Sequence, residues 1–200
     1  MSEFFPVFLK LSDKPVLVVG AGSVGWAKVR SLQPAGARLT VIAPQACEEI
    51  RSEAEAGRLR WEQRAFAEQD AAGQTLIFAA TGERGVNRRV VEAAERRGIP
   101  ANAVDDPELC SFYSAAVLRR GPVQVAIGTS GEFPGLSRAF REQLERLIPP
   151  ESGEAGAVLS SLRAAVRASD LPAPRRRDAL KELVDWFSRE YLSPRNEAAR

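Results

Sequence analysis

Gly20, Gly22 and Gly25 stand in G-x-G-x-x-G spacing between the apolar run Val16 to Val19 and a stretch of helical periodicity, Val24 to Leu32. A turn of this kind suits a dinucleotide. Gly20 permits the tight bend, Gly22 removes a Cβ that would hold the backbone off a pyrophosphate, and Gly25 lets a helix lie close on the strand. Ser23 and Val24 open that helix, whose N-terminal N–H groups and positive dipole end attract phosphate. The spacing alone also describes an ordinary strand-to-helix turn; the strand before it and the helix after it favour cofactor binding.

The chain has no histidine, so the commonest general acid–base and the commonest transition-metal ligand are both missing. Chemistry must come from carboxylates, hydroxyls, thiols or a cofactor, which suits hydride transfer to a nicotinamide. No residue set is assigned to a metal. Cys47 and Cys110 form no C-x-x-C pair, which points to reduced thiols and a cytoplasmic location. An acid at the end of the second strand usually holds the adenosine ribose; here that place has Ala43, Pro44 and Gln45. Their backbone and the Gln45 amide are candidate ribose contacts, and the choice between NAD and NADP stays open on the residues alone. Thr81 follows the fourth apolar strand, at the edge where such sheets bind ligands. Asp105 closes the fifth strand on that edge, but Asp105-Asp106-Pro107 also reads as a plain turn.

These residues need a scaffold. Alternating elements predict a parallel sheet: strands at 16–19, 38–42, 59–61, 75–80 and 100–104, with helices at 24–35, 47–56 and 87–97 between them. The apolar segment 4–11 reads as a further short strand beside this sheet. After Pro107 the pattern changes to a hairpin, 113–118 and 123–127, joined by Arg119-Arg120-Gly121-Pro122, then an amphipathic helix 136–148. Residues 149–156 read as a linker, followed by helices at 158–168 and 178–191 with Arg175-Arg176-Arg177 as a solvated helix start.

Composition narrows the partners. Two hundred residues with 44% hydrophobic content suffice for a buried core, and a net charge of +2 gives no overall drive towards nucleic acid or membrane. No run approaches membrane-spanning length, and the N-terminus lacks a leader pattern.

With these pieces placed, the chain resembles the precorrin-2 dehydrogenase and sirohydrochlorin ferrochelatase family, which includes SirC-type enzymes and the N-terminal module of siroheme synthase. The resemblance rests on Pro6-Val-Phe-Leu-Lys-Leu, the glycine loop, Gly36-Ala-Arg-Leu-Thr-Val, Ala79-Ala-Thr81, Asn87, Asn102-Ala-Val-Asp105, Ser111-Phe112, Val125 to Gly131 and Pro134-Gly-Leu-Ser-Arg138. It implies an α/β fold: a Rossmann-like doubly wound parallel sheet (1–112), a β-hairpin/helix dimerisation region (113–149) and a small C-terminal helical region (150–200). It further implies NAD as cofactor, a homodimer, and oxidation of precorrin-2 to sirohydrochlorin on the way to siroheme or cobalamin. Asp105 carries over as the catalytic residue, and Asn102, Thr129 and Ser130 as substrate contacts. Arg119, Arg120, Arg138 and Arg141 are candidates to meet the carboxylates of a tetrapyrrole, or surface charge. Two departures stand out: Thr129 occupies the place of a serine that is phosphorylated in siroheme synthases, and Asp106 adds a second acid that would share titration with Asp105 if the side chains meet. No methyltransferase module is present, so methylation is expected from another protein, and iron insertion would depend on Asp105 and the ring nitrogens. The competing reading is a non-catalytic NAD(H)-binding regulatory module. Such modules typically want an acid where Ala43 stands, and no helix-turn-helix is recognisable.

Overall fold

The structure, a computed structural model, describes residues 4–129 and 133–192, so Ser130 lies outside the described residues. The chain forms two compact units, Met1–Tyr113 and Ser114–Arg200.

In the first unit, strands β1 (Pro15–Val19), β2 (Arg38–Ile42), β3 (Arg60–Glu62), β4 (Leu76–Ala79) and β5 (Ala101–Ala103) make one parallel sheet in the order β3-β2-β1-β4-β5. Helices α1 (Ser23–Leu32), α2 (Glu48–Glu55) and α3 (Arg84–Glu95) link its strands. Alternate residues of β1 face opposite layers. Val16 and Val18 pack with Val29 and Leu32 of α1 and Ile50 of α2, whereas Leu17 and Val19 pack with Val90, Val91, Ala93 and Ala94 of α3. Burial on both faces explains why the central strands are unbroken apolar runs rather than alternating ones. Gly36, Gly57 and Gly98 close the helical segments before them with φ of 67°, 71° and 66°.

The expected strand at 4–11 does not form. Residues 4–10 are exposed and pair with no sheet strand among the described residues; only Leu11 is buried, with its carbonyl accepting the Lys14 N–H at 2.9 Å. Its β-forming composition does not bring it to either edge strand, β3 or β5; the Phe4 ring instead meets Tyr113 edge-on at 4.7 Å.

The second unit holds the antiparallel pair β6 (Ala116–Arg120) and β7 (Val123–Ile127), then α4 (Pro134–Leu147), α5 (Glu151–Ala168) and α6 (Ala173–Phe187). Arg119 and Arg120 belong to β6, opposite Gln124 and Val123, so the turn is Gly121-Pro122 alone. The expected linker is instead the first turns of α5. Its Ser152, Gly153, Ala155 and Gly156 are buried, and a Cβ on Gly153 would lie 2.8 Å from the Gly121 nitrogen. Small residues at this place serve close packing on the hairpin turn rather than flexibility. Likewise α6 begins before Arg175 and takes the three arginines into its first turns.

Gly153→Val therefore forces a branched side chain into the hairpin contact. Thermal unfolding should show a loss of roughly 1–3 kcal/mol, while the same change at exposed Ala157 leaves the melting temperature unchanged.

Candidate active site

The site is built at the carboxyl ends of β1 and β4, where the strand order reverses. Gly20 continues β1 through its N–H to the Ile42 carbonyl (2.9 Å) and turns with φ of +106°. Any side chain there would overlap the Ala80 carbonyl beside it, and a Cβ on Gly25 would overlap the Gly20 carbonyl, so α1 rests directly on the turn. Gly22 differs: it is the N-cap of α1, nothing lies within 4 Å of its Cβ direction, and no side chain caps the helix. Ser23 and Val24 are exposed in the first turn. An uncapped helix start behind open space fits the pyrophosphate of a nicotinamide dinucleotide.

The loop after β2 is anchored to this turn by the Cys47 N–H, which donates to the Ala21 carbonyl at 2.9 Å. Ala43 is buried, its N–H bonded to the Glu62 carbonyl (3.2 Å) and its carbonyl to the Trp61 indole (3.1 Å), whereas Pro44 and Gln45 are exposed. The two arginines of β3 and the loop after it already have acidic partners: Arg60 pairs with Glu62 at 3.1 Å, and Arg64 with Glu62 and Asp70.

Across the switch point, Thr81 is held by Asn87 of α3. The Asn87 Oδ1 accepts both the Thr81 N–H (3.1 Å) and its hydroxyl (2.7 Å), and its Nδ2 donates to the Thr81 carbonyl (3.0 Å). Asn87 is the buried polar residue of α3, on the face it shares with Val90, Val91 and Ala94.

After β5 the two aspartates part. Asp105 is exposed and adopts φ of +61°, a left-handed conformation uncommon outside glycine and tolerated by Asp and Asn. Asp106 turns inward, is 9% exposed and takes the Arg84 Nε at 2.7 Å. Its hydrogen bond and charge raise the Arg84 guanidinium above its usual range. Asp106 thus has an ionic partner of its own in Arg84. Asn102, expected to touch substrate, is buried; its Nδ2 donates to the Phe112 carbonyl (2.9 Å) and Cys110 Sγ (3.2 Å), fastening the returning loop to β5. Burial pushes the Cys110 thiol up, and its S–H donates to the Ala103 carbonyl at 3.1 Å.

Lys28 of α1 was not singled out by the sequence. It is half-buried with its ammonium 5.5 Å from the centroid of the Phe78 ring, which meets Phe112 edge-on at 5.3 Å. Burial lowers its pKa from the ordinary lysine value, and the charges of Cys110 and Asp105 draw it back up.

In the second unit, the Thr129 hydroxyl lies 3.1 Å from that of buried Ser137. Arg120 is a structural residue, donating to the carbonyls of Ile148 (3.0 Å) and Glu145 (3.3 Å). Arg138 pairs with Glu142 at 2.8 Å and Arg141 with Glu145, while Arg119 is exposed. Among the described residues no group of three or more Cys, Asp and Glu side chains is placed to hold a metal ion, and no helix is long and apolar enough to cross a membrane.

A parallel sheet of this order, with a glycine turn and an uncapped helix at its switch point, defines a dinucleotide-binding α/β protein. Residues 7–116 match the family described as "Putative NAD(P)-binding", and the chain belongs to that family. It is 37% identical over 199 residues to siroheme synthase of Thioalkalivibrio sulfidiphilus, covering 99% of this chain and 41% of that protein. It is 43% identical over 175 residues to siroheme synthase of Methylococcus capsulatus, covering 88% of this chain and 37% of that protein. The chain thus spans about two fifths of the length of these relatives. Among solved structures it is similar to SirC, a precorrin-2 dehydrogenase, with TM-score 0.81 and 25% identity over 91% of this chain and 90% of that one.

The glycines separate by experiment. Gly22→Asp should leave the melting temperature near wild type but abolish NADH binding, read by fluorescence, because its carboxylate projects into the open phosphate site. Gly20→Ala should instead destabilise the protein by roughly 1–3 kcal/mol.

Proposed function

We propose that the chain is an NAD-dependent precorrin-2 dehydrogenase, yielding sirohydrochlorin in siroheme or cobalamin biosynthesis. The observation that carries this reading is Asp105, an exposed carboxylate on a left-handed backbone at the end of β5, on the sheet edge that bears the glycine turn. The similarity to SirC over nine tenths of both chains supports it. NAD supplies the hydride acceptor. Gly20, Gly22, Ser23, Val24 and Gly25 bind its pyrophosphate, Pro44 and Gln45 face the adenosine ribose, and Thr81, fixed by Asn87, borders the nicotinamide. Asp105 accepts the proton that must leave the substrate when a hydride departs. NAD is preferred over NADP because Ala43 to Gln45, at the end of β2, offer no cation to a 2′-phosphate.

Arg119 is the strongest candidate for a substrate carboxylate, being exposed, with Arg138 and Arg141 able to exchange their half-buried glutamate partners for one. Asn102 acts by shaping the loop after β5, and Thr129 is a substrate contact. The protein works as a homodimer through 113–149, where Val123, Leu136, Phe140 and Leu147 expose apolar surface. It operates in the cytoplasm, consistent with the free thiols of Cys47 and Cys110.

An anaerobic assay with precorrin-2 and NAD+ should give NADH and the sirohydrochlorin spectrum together. Asp105→Asn, which keeps the backbone conformation, should retain NADH binding and lower turnover roughly 100-fold. Wild-type turnover in that variant removes Asp105 from the chemistry, and NADH binding without any oxidation of precorrin-2 by the native protein returns the regulatory-module reading. Fe2+ added to the product measures chelation against the protein-free rate.

A further inference from the structure

Thr81 carries a hydroxyl whose proton is already committed. The residue follows β4 and flanks the glycine turn itself, since its nitrogen would lie 2.9 Å from a Cβ on Gly20. Asn87 holds it through contacts that fix the direction of each hydrogen. The Thr81 N–H can only donate, so the Asn87 atom 3.1 Å from it is the amide oxygen, Oδ1. The Thr81 carbonyl can only accept, so the atom 3.0 Å from it is Nδ2. The backbone of Thr81 thereby sets the amide orientation from both sides. Oδ1 has no proton, yet it lies 2.7 Å from the Thr81 Oγ1, and the hydroxyl proton therefore lies between them. The Glu83 carbonyl, at 3.2 Å, is the weaker acceptor. The Thr81 oxygen also accepts the Glu83 N–H at 3.2 Å, which leaves it one lone pair and no proton for a ligand.

We propose that Thr81 is a specificity-determining residue for the nicotinamide carboxamide: its hydroxyl, held by Asn87 as an acceptor only, takes an N–H of that group and disfavours a dinucleotide whose ring substituent has no donor. This deepens the NAD reading of the site and rests on it. A free hydroxyl would not discriminate in this way, because it turns to donate or accept as its partner demands. The same holds for the ribose hydroxyls of the cofactor, which can take either role, whereas the carboxamide NH2 group is the one nitrogen donor in the nicotinamide half. Asn87 is then a positioning residue. It is 5% exposed, and its burial keeps bulk water from competing for Oδ1 and releasing the Thr81 proton.

Binding alone tests this. NADH fluorescence reports occupancy, and NAD+ and its 3-acetylpyridine analogue, in which a methyl ketone replaces the carboxamide, compete for the site. The ketone keeps the carbonyl and loses both N–H donors. The native protein should bind NAD+ roughly tenfold more tightly than the analogue. Thr81→Val keeps the shape and removes the acceptor; it should cost NAD+ that factor, leave the analogue within about twofold and so erase the preference. Thr81→Ser, which keeps the hydroxyl, should retain it. Asn87→Leu removes the partner of the hydroxyl proton and should reduce the preference although Thr81 is intact, and combined with Thr81→Val it should reduce it no further.

Equal affinity of the native protein for NAD+ and the analogue overturns the proposal, as does a preference that survives Thr81→Val. A parallel loss of both ligands in Thr81→Val overturns it too, because the hydroxyl then serves the turn or the ribose and not the carboxamide. An undiminished preference in Asn87→Leu overturns the positioning role of Asn87. In each of these cases NADH still binds the native protein and the cofactor reading stands. A native protein that binds no NADH overturns that reading, and the proposal with it.

Discussion

The close approach of α1 to the β1–β4 seam is the contact on which the first unit depends. Gly20 and Gly25 meet backbone where any Cβ would overlap a carbonyl. Because those two positions are bare, the helix starts directly over the point where strand order reverses, and its free N–H groups open onto the ligand edge. Gly22 has another role, since nothing in the protein crowds it. Its missing side chain leaves room for something outside the chain.

Around that seam, polar side chains hold loops rather than line a cavity. Asn87 clamps Thr81, Asn102 clamps the segment 110–112, and Arg84 holds Asp106 inward. Each of these three buried side chains has its hydrogen-bond partners, as burial demands. Asp105, by contrast, is exposed, and a left-handed residue at that position is held by the structure around it. The contrast between adjacent aspartates comes from partners: one has an arginine within 2.7 Å, and the other faces solvent.

The second unit uses small residues in the opposite sense to a linker. Gly121 of the hairpin and Gly153 of α5 are in backbone contact, and Gly156 sits against Pro122, where a Cβ would be 3.3 Å from its ring. Bulk is absent there because two backbones need the space. The larger apolar side chains of α4 remain at the surface of this unit, with Phe140 53% and Leu147 70% exposed. An amphipathic helix with an uncovered apolar stripe is suited to an assembly.

The sequence by itself determined the parallel sheet, its ligand edge and the glycine turn, because these rest on local signals: apolar runs, glycine spacing and helix stops at Gly36, Gly57 and Gly98. It also placed Asp105 just beyond the fifth strand, where β5 ends at Ala103. Tertiary structure decided the matters that depend on what lies opposite. Residues 4–10 have strand composition but pair with neither edge strand, and 151–156 have linker composition but pack as the start of a helix against a hairpin turn. Arg120 reads as a ligand charge until its carbonyl partners on α4 and beyond are seen. Lys28 reads as one more surface lysine on an amphipathic helix. Only the fold brings the Phe78 ring to its ammonium, because the two lie 50 residues apart along the chain.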